Sequence, residues 1–115
     1  MIDLKDRSFE FSVSIVRLFQ KLDEMHGISR TLANQLLRSG TSIGANIEEA
    51  HGSQSKADFT AKMYIACKEA RETHYWLRLL TATGIMTKSQ LSDLEDEANQ
   101  LVAILTTTVK NARKK

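Results

Sequence analysis

The sequence predicts an all-α protein: an antiparallel, up-down-up-down four-helix bundle in a single domain over residues 1–115. Apolar residues recur at spacings of three and four, and no segment of comparable length alternates with a period of two. Glycines followed by Ser or Thr divide the chain, and it contains no proline. The predicted helices span about residues 7–26, 29–51, 55–83 and 87–113. Three short connections favour antiparallel neighbours.

The first helix is predicted from one apolar face and from a stop signal after residue 26. Glycine accepts the left-handed conformation at a helix end, and serine caps free backbone N–H groups. Gly27 followed by Ser29 therefore indicates that one helix ends and another begins. The stripe of the first helix consists of Phe11, Ile15, Leu18, Leu22 and Met25.

The second helix is less regular, because small residues interrupt its stripe. Gly40 and Gly44 lie four residues apart, and an interior glycine costs a helix about 1 kcal/mol relative to alanine. Either the two glycines allow another backbone to approach closely, or the helix is kinked or broken near residues 39–41. We expect a continuous helix. Its stripe consists of Leu32, Leu36, Ile43, Ile47 and Ala50.

The third and fourth helices each begin at a capping box. Ser55 is followed three residues later by Asp58, and Thr87 by Gln90. The stripe of the third helix is Phe59, Met63, Ala66, Ala70, Leu77 and Leu80, with Thr73 in the gap. The stripe of the fourth is Leu91, Leu94, Ala98, Leu101, Leu105 and Ala112.

Composition excludes several classes of protein. The charged fraction of 26% is typical of a globular chain, and a net charge of +2 does not by itself predict a nucleic-acid partner. The single cysteine, Cys67, cannot form an internal disulfide. The longest apolar run, residues 101–105, is too short to span a bilayer, and the N-terminus lacks the apolar stretch of a signal peptide. We expect a cytoplasmic protein without a membrane partner.

A polar line stands out on the second helix. Ser42, Asn46 and Glu49 lie at positions i, i+4 and i+7, beside the apolar stripe. Neither a histidine nor an activated nucleophile accompanies them. We therefore assign them to structure or assembly, and we predict no catalytic residues.

Two segments carry a resemblance to a known family. The stretch SIGANIEEA at 42–50 resembles the S-I-x-x-N-I-x-E-G signature of a bacterial four-helix bundle family, the 23S rRNA intervening-sequence or S23 proteins. The stretch ACKEARETHYWL at 66–77 resembles its A-x-x-S-x-x-E-x-x-Y-x-L segment, with Glu72 matching and Glu69 in place of serine. Ala50 stands where the family usually has glycine. The resemblance implies a small bundle that assembles as a homopentamer, and a related retroelement accessory protein binds nucleic acid.

A basic strip on the third helix favours a nucleic-acid-binding oligomer. Lys68, Arg71, Tyr75 and Arg78 lie at i, i+3, i+7 and i+10, and Arg38 is a candidate extension. The cations of residues 110–115 could add to it. Repetition around a symmetry axis would add potentials of like sign. The competing interpretation is a solvated face, since glutamates at 69 and 72 lie beside these cations.

The alternative function is a protein–protein adaptor or a structural ring. Apolar residues off the main stripes favour burial against another chain, so we expect a homo-oligomer, most simply the pentamer that the resemblance implies. These residues are Phe9, Val13, Val16, Ile65, Trp76 and Leu79.

An enzyme is the least favoured class. Glu48-x-x-His51 resembles half of a di-iron motif and Asp23-x-x-His26 is a poorer match, but a continuous second helix would place His26 and His51 roughly 35 Å apart. Cys67 is interpreted as a small buried apolar residue rather than a zinc ligand. We predict no metal and no cofactor.

Overall fold

The structure, a computed structural model, describes residues 3–22 and 24–114. They form four α-helices: α1 (Leu4–Lys21), α2 (Gly27–His51), α3 (Lys56–Ala82) and α4 (Lys88–Arg113). Helices that follow one another in the chain pack together, and α1 also contacts α4. Lys5 near the start of α1 pairs with Glu48 near the end of α2, so these two helices are antiparallel. The prediction of an all-α four-helix bundle is confirmed.

The core is a continuous apolar cluster contributed by all four helices. The predicted stripes supply most of it, and burying a large aliphatic side chain stabilises the fold by about 1.5–3 kcal/mol. Met86, in the loop before α4, is also buried. The largest side chains with no exposed surface are Ile15, Leu36, Ile43, Ile47, Leu77, Leu80, Leu91, Leu101 and Leu105.

Helix α2 is continuous through residues 39–41, as we expected, and its glycines lie against α1. A Cβ atom added at Gly40 would lie 3.0 Å from Cγ1 of Ile15. A Cβ atom at Gly44 would lie 3.2 Å from the backbone oxygen of Ser8. The two glycines therefore serve close packing, and the alternative of a break in the helix is wrong.

The predicted starts of α3 and α4 are confirmed by their capping hydrogen bonds. The Ser55 hydroxyl accepts the N–H of Asp58 at 3.1 Å. Thr87 accepts the N–H of Gln90 at 3.2 Å, and the Gln90 side chain accepts the N–H of Thr87 at 2.8 Å. Gly84, with φ of +77°, follows the C-cap of α3 in the left-handed conformation that favours glycine.

The predicted bounds of the first helix are wrong at both ends. Helix α1 begins at Leu4, because the Asp3 side chain accepts the N–H of Asp6 at 2.9 Å and caps the helix. It ends at Lys21, although the apolar spacing continues to Met25. Leu22 and Met25 pack against the core from the connection, so their spacing reflects burial rather than helix. Gly27 has φ of +62° but is the first residue of α2, which therefore starts before Ser29.

Candidate nucleic-acid interface

The predicted basic strip lies on the exposed side of α3 that faces α4. Lys68, Arg71, Tyr75 and Arg78 are all exposed. Arg71 approaches the sulfur of buried Cys67 at 3.5 Å, and that sulfur lies 3.5 Å from Thr106 of α4. Within the described ranges, none of the three cations has a carboxylate within ion-pair distance. Their charges thus remain available to an external anion.

Arg38 belongs to α2 and lies between α2 and α3, on the side of α3 away from the strip. It therefore does not extend the strip. It donates one hydrogen bond to Glu69 at 3.0 Å and another to Glu72. Glu72 also accepts the indole N–H of Trp76 at 3.0 Å. Glu72 follows Lys68 by four residues, a spacing at which two side chains on a helix can form an ion pair. The Glu72 carboxylate contacts Arg38 instead. Arg38 therefore neutralises the acids that could compensate the strip.

Tyr64 also lies on this face and was not predicted, and Arg113 is one of the cations of residues 110–115 that could add to the strip. The Arg113 guanidinium lies 4.9 Å from the centre of the Tyr64 ring, and the Lys68 ammonium lies 5.9 Å from it. Tyr64 could have been recognised from the sequence, because it lies four residues before Lys68 on the same helical line. The contact with Arg113 depends on the packing of α4 against α3.

The polar line of α2 is held by bonds within the helix. The Ser42 hydroxyl donates to the carbonyl oxygen of Arg38 at 2.7 Å, and the Asn46 amide donates to the carbonyl oxygen of Ser42 at 2.8 Å. Ser42 and Asn46 are half-buried, whereas Glu49 is exposed. This arrangement brings no nucleophile and base together.

The apolar residues outside the core stripes differ in exposure. Phe9 is 62% exposed, Val16 41% and Ile65 37%. Val13, Trp76 and Leu79 are half-buried, and Trp76 packs against the core cluster. A surface groove of about 370 Å³ runs along α1 between Phe9 and Val16. The outer face of α1 thus carries the most exposed of these apolar residues.

The candidate metal ligands do not come together. His26 precedes α2 and His51 ends it, about 37 Å apart along a helix of 25 residues. Glu48 pairs with Lys5, and Asp23 lies outside the described residues, as does Lys115. The described ranges contain no group of three or more His, Cys, Asp or Glu that could hold a metal ion. Cys67 is buried, as predicted.

No helix in the described part of the chain is both long and apolar enough to cross a membrane.

Comparisons with known proteins agree with the motifs. A protein of unknown function from the S23 ribosomal protein family of Bacteroides thetaiotaomicron has a crystal structure that matches with a TM-score of 0.84 at 44% identity. That match covers 94% of this chain and 99% of the other chain. No curated protein matches the chain. The model of the 23S rRNA-intervening sequence protein family matches residues 2–107, and the chain therefore belongs to that family.

Proposed function

We propose that this protein is a non-enzymatic, oligomeric helical bundle that binds RNA or DNA without sequence specificity through the basic strip of α3. Lys68, Arg71 and Arg78 contact phosphates in this proposal. The observation that carries it is the separation of charge on α3. The cations lie on the α4 side and have no carboxylate partner among the residues that the structure describes, whereas Glu69 and Glu72 on the α2 side are paired with Arg38.

Symmetry makes a modest strip sufficient for binding. The net charge of +2 is small, so one copy attracts a polyanion weakly. In a closed homo-oligomer, a pentamer by analogy with the family, every copy presents the same strip and several phosphates are neutralised together. The exposed apolar face of α1, with Phe9 and Val16, supports association between copies.

A salt titration of labelled RNA and duplex DNA tests the proposal. Each duplex phosphate contact contributes a slope of roughly 0.9 in log K against log salt. The double variant Arg71→Ala/Arg78→Ala should bind more weakly and show a smaller slope. Lys21→Ala/Lys88→Ala is the matched control, because it removes the same charge from exposed positions outside the strip and outside the apolar face of α1, and it should leave affinity nearly unchanged.

Three outcomes would contradict parts of the proposal. An oligomer that binds neither RNA nor DNA at low salt would favour the adaptor function instead. Binding that survives in the Arg71→Ala/Arg78→Ala variant would move the site to the cations of residues 110–115. A monomer would remove the repetition on which the binding strength depends.

A further inference from the structure

We infer that the strip is built for unpaired nucleic acid, with Tyr64 and Tyr75 each stacking on a base while the cations between them bind phosphates. This inference rests on the proposed function and adds the class of strand that the protein prefers. The sequence analysis identified Tyr75 alone, and one tyrosine is not a stacking surface for a strand. The structure supplies the second ring.

The five residues form one line along α3. Tyr64, Lys68, Arg71, Tyr75 and Arg78 are separated by four, three, four and three residues, so they share a face of the helix. The two tyrosines lie eleven residues apart, about 16 Å along the axis. Aromatic rings therefore alternate with positive charges. Proteins that bind single strands combine these features, because phosphates need cations and unpaired bases need flat apolar partners.

Tyr64 is the better-placed ring. It is 38% exposed, and the Arg113 guanidinium lies over it at 4.9 Å. Because an exposed cation–π contact is weak, a base can replace the guanidinium over the ring. The displaced Arg113 is then free to pair with the phosphate of that nucleotide. Lys68, 5.9 Å from the ring centre, supplies a second charge at the same place.

Tyr75 is exposed but held in position by its neighbour. It is 52% exposed, and its ring meets the Trp76 ring edge to face, with centroids 5.1 Å apart and planes at 73°. Trp76 is fixed in turn by its hydrogen bond to Glu72. A ring that is both exposed and restrained loses little freedom when a base stacks on it.

The surface next to Tyr64 leaves room for a strand. A shallow groove of about 490 Å³ lies between α3 and α4 and is lined by small side chains and one cation. Its residues are Lys56, Ala57, Thr60, Ala61 and Ala112. In a duplex the bases stack on one another and their faces are closed to a side chain on a helix surface. The tyrosines should therefore contribute to the binding of single strands only.

An abasic strand separates stacking from charge, because it keeps the phosphates and lacks the bases. We would measure the affinity of the full-length protein for oligo(dT), oligo(U), a length-matched abasic strand and a duplex at one ionic strength. Wild type should prefer oligo(dT) over the abasic strand by about 100-fold, at about tenfold for each stacked base. Tyr64→Leu and Tyr75→Leu should each reduce this preference about tenfold and leave affinity for the abasic strand unchanged. Tyr64→Phe and Tyr75→Phe, which keep the ring, should behave as wild type.

Equal affinity of the wild type for oligo(dT) and the abasic strand would overturn the inference while leaving the proposed function intact. Tighter binding of the duplex than of either single strand would do the same. So would leucine variants that keep the wild-type preference for oligo(dT) over the abasic strand. Failure to bind any of the four probes at low salt would instead overturn the proposed function, and this inference with it.

Discussion

At the scale of single residues, two glycines allow the close packing of α1 against α2. Gly44 allows the backbone of α1 at Ser8 to approach α2, and Gly40 makes the corresponding space for Ile15. A buried polar pair completes the packing between α2 and α3. The Thr73 hydroxyl donates to the carbonyl oxygen of Glu69 at 2.7 Å and lies within hydrogen-bond distance, 3.0 Å, of the Ser39 hydroxyl. Both hydroxyls are fully buried, so the pair removes the penalty of isolated polar groups.

Gly44→Ala should destabilise the protein although alanine favours helix. The new Cβ would lie 3.2 Å from a backbone oxygen, which cannot move without displacing α1. We expect a loss of about 1–3 kcal/mol from overpacking, against a gain of about 1 kcal/mol in helix propensity. Urea unfolding followed by circular dichroism measures the difference.

Gly52→Ala is the control for this substitution. Its nearest neighbour would be the Glu49 backbone oxygen at 3.7 Å, an ordinary contact, so its stability should be unchanged or slightly raised. A Gly44→Ala protein at least as stable as wild type would show that α1 yields readily, contrary to the packing argument.

At the scale of elements, a helix start is predicted where the capping side chain is recognised in the sequence. This holds for α3 and α4 but not for α1, whose cap at Asp3 lies before the predicted start at residue 7. The side chains of Ser55 and Thr87 cap α3 and α4 at the predicted places. The end of α1 could not be predicted in this way, because Leu22 and Met25 continue the apolar spacing while lying outside the helix. The apolar spacing indicates which residues are buried. A connection that packs on the core can continue the same spacing without being helical.

In the candidate site, too, features set within one helix can be predicted from the sequence, whereas features set by packing between helices cannot. The basic strip follows from spacing within α3, which the sequence contains. The pairing of Arg38 with Glu69 and Glu72 depends on the register of α2 against α3. The contact of Arg113 with Tyr64 depends on the register of α4 against α3. Neither register can be obtained from the sequence of one helix, so the sequence predicts neither the partners of Arg38 nor the cation that lies over Tyr64.

The role of Arg38 can be tested by a rescue experiment. Arg38→Ala frees Glu72 to pair with Lys68, four residues away on the same helix, and should weaken nucleic-acid binding severalfold at low ionic strength. Adding Glu69→Gln and Glu72→Gln removes the freed charges and should restore the affinity. Fluorescence anisotropy with one labelled strand compares the variants.

An Arg38 that contacts phosphate directly would give the opposite result. The triple variant would then bind as weakly as Arg38→Ala. The variant with both glutamines and an intact Arg38 serves as the reference for the effect of the glutamines alone.

At the scale of the whole molecule, α1 is the least enclosed helix. It has 18 residues where the others have 25 to 27, and its contact with α4 is the smallest between packed helices. Arg7 anchors it by donating to Glu97 at 2.5 and 2.9 Å and to Gln100 at 2.6 Å. The hydrogen bonds to Glu97 raise the pKa of Arg7 above its usual range, so the guanidinium stays charged at any working pH. The opposite face of α1 presents Phe9 and Val16 to solvent.

Phe9→Asp should dissociate the proposed oligomer without unfolding the bundle. Phe9 is 62% exposed in the single chain, so its loss removes little from the core, whereas a carboxylate buried between two copies is unfavourable. Light scattering should give a whole-number multiple of the 12.9 kDa chain mass for the wild type and a smaller mass for the variant. Circular dichroism should show the same helix content for both. Asn34→Asp, which adds the same charge at an exposed position of α2, should keep the wild-type mass.

If Phe9→Asp keeps the full mass, the outer face of α1 is not the interface. The basic strip is intact in Phe9→Asp. If this variant dissociates and also loses affinity for nucleic acid, binding depends on the repetition of the strip around the ring.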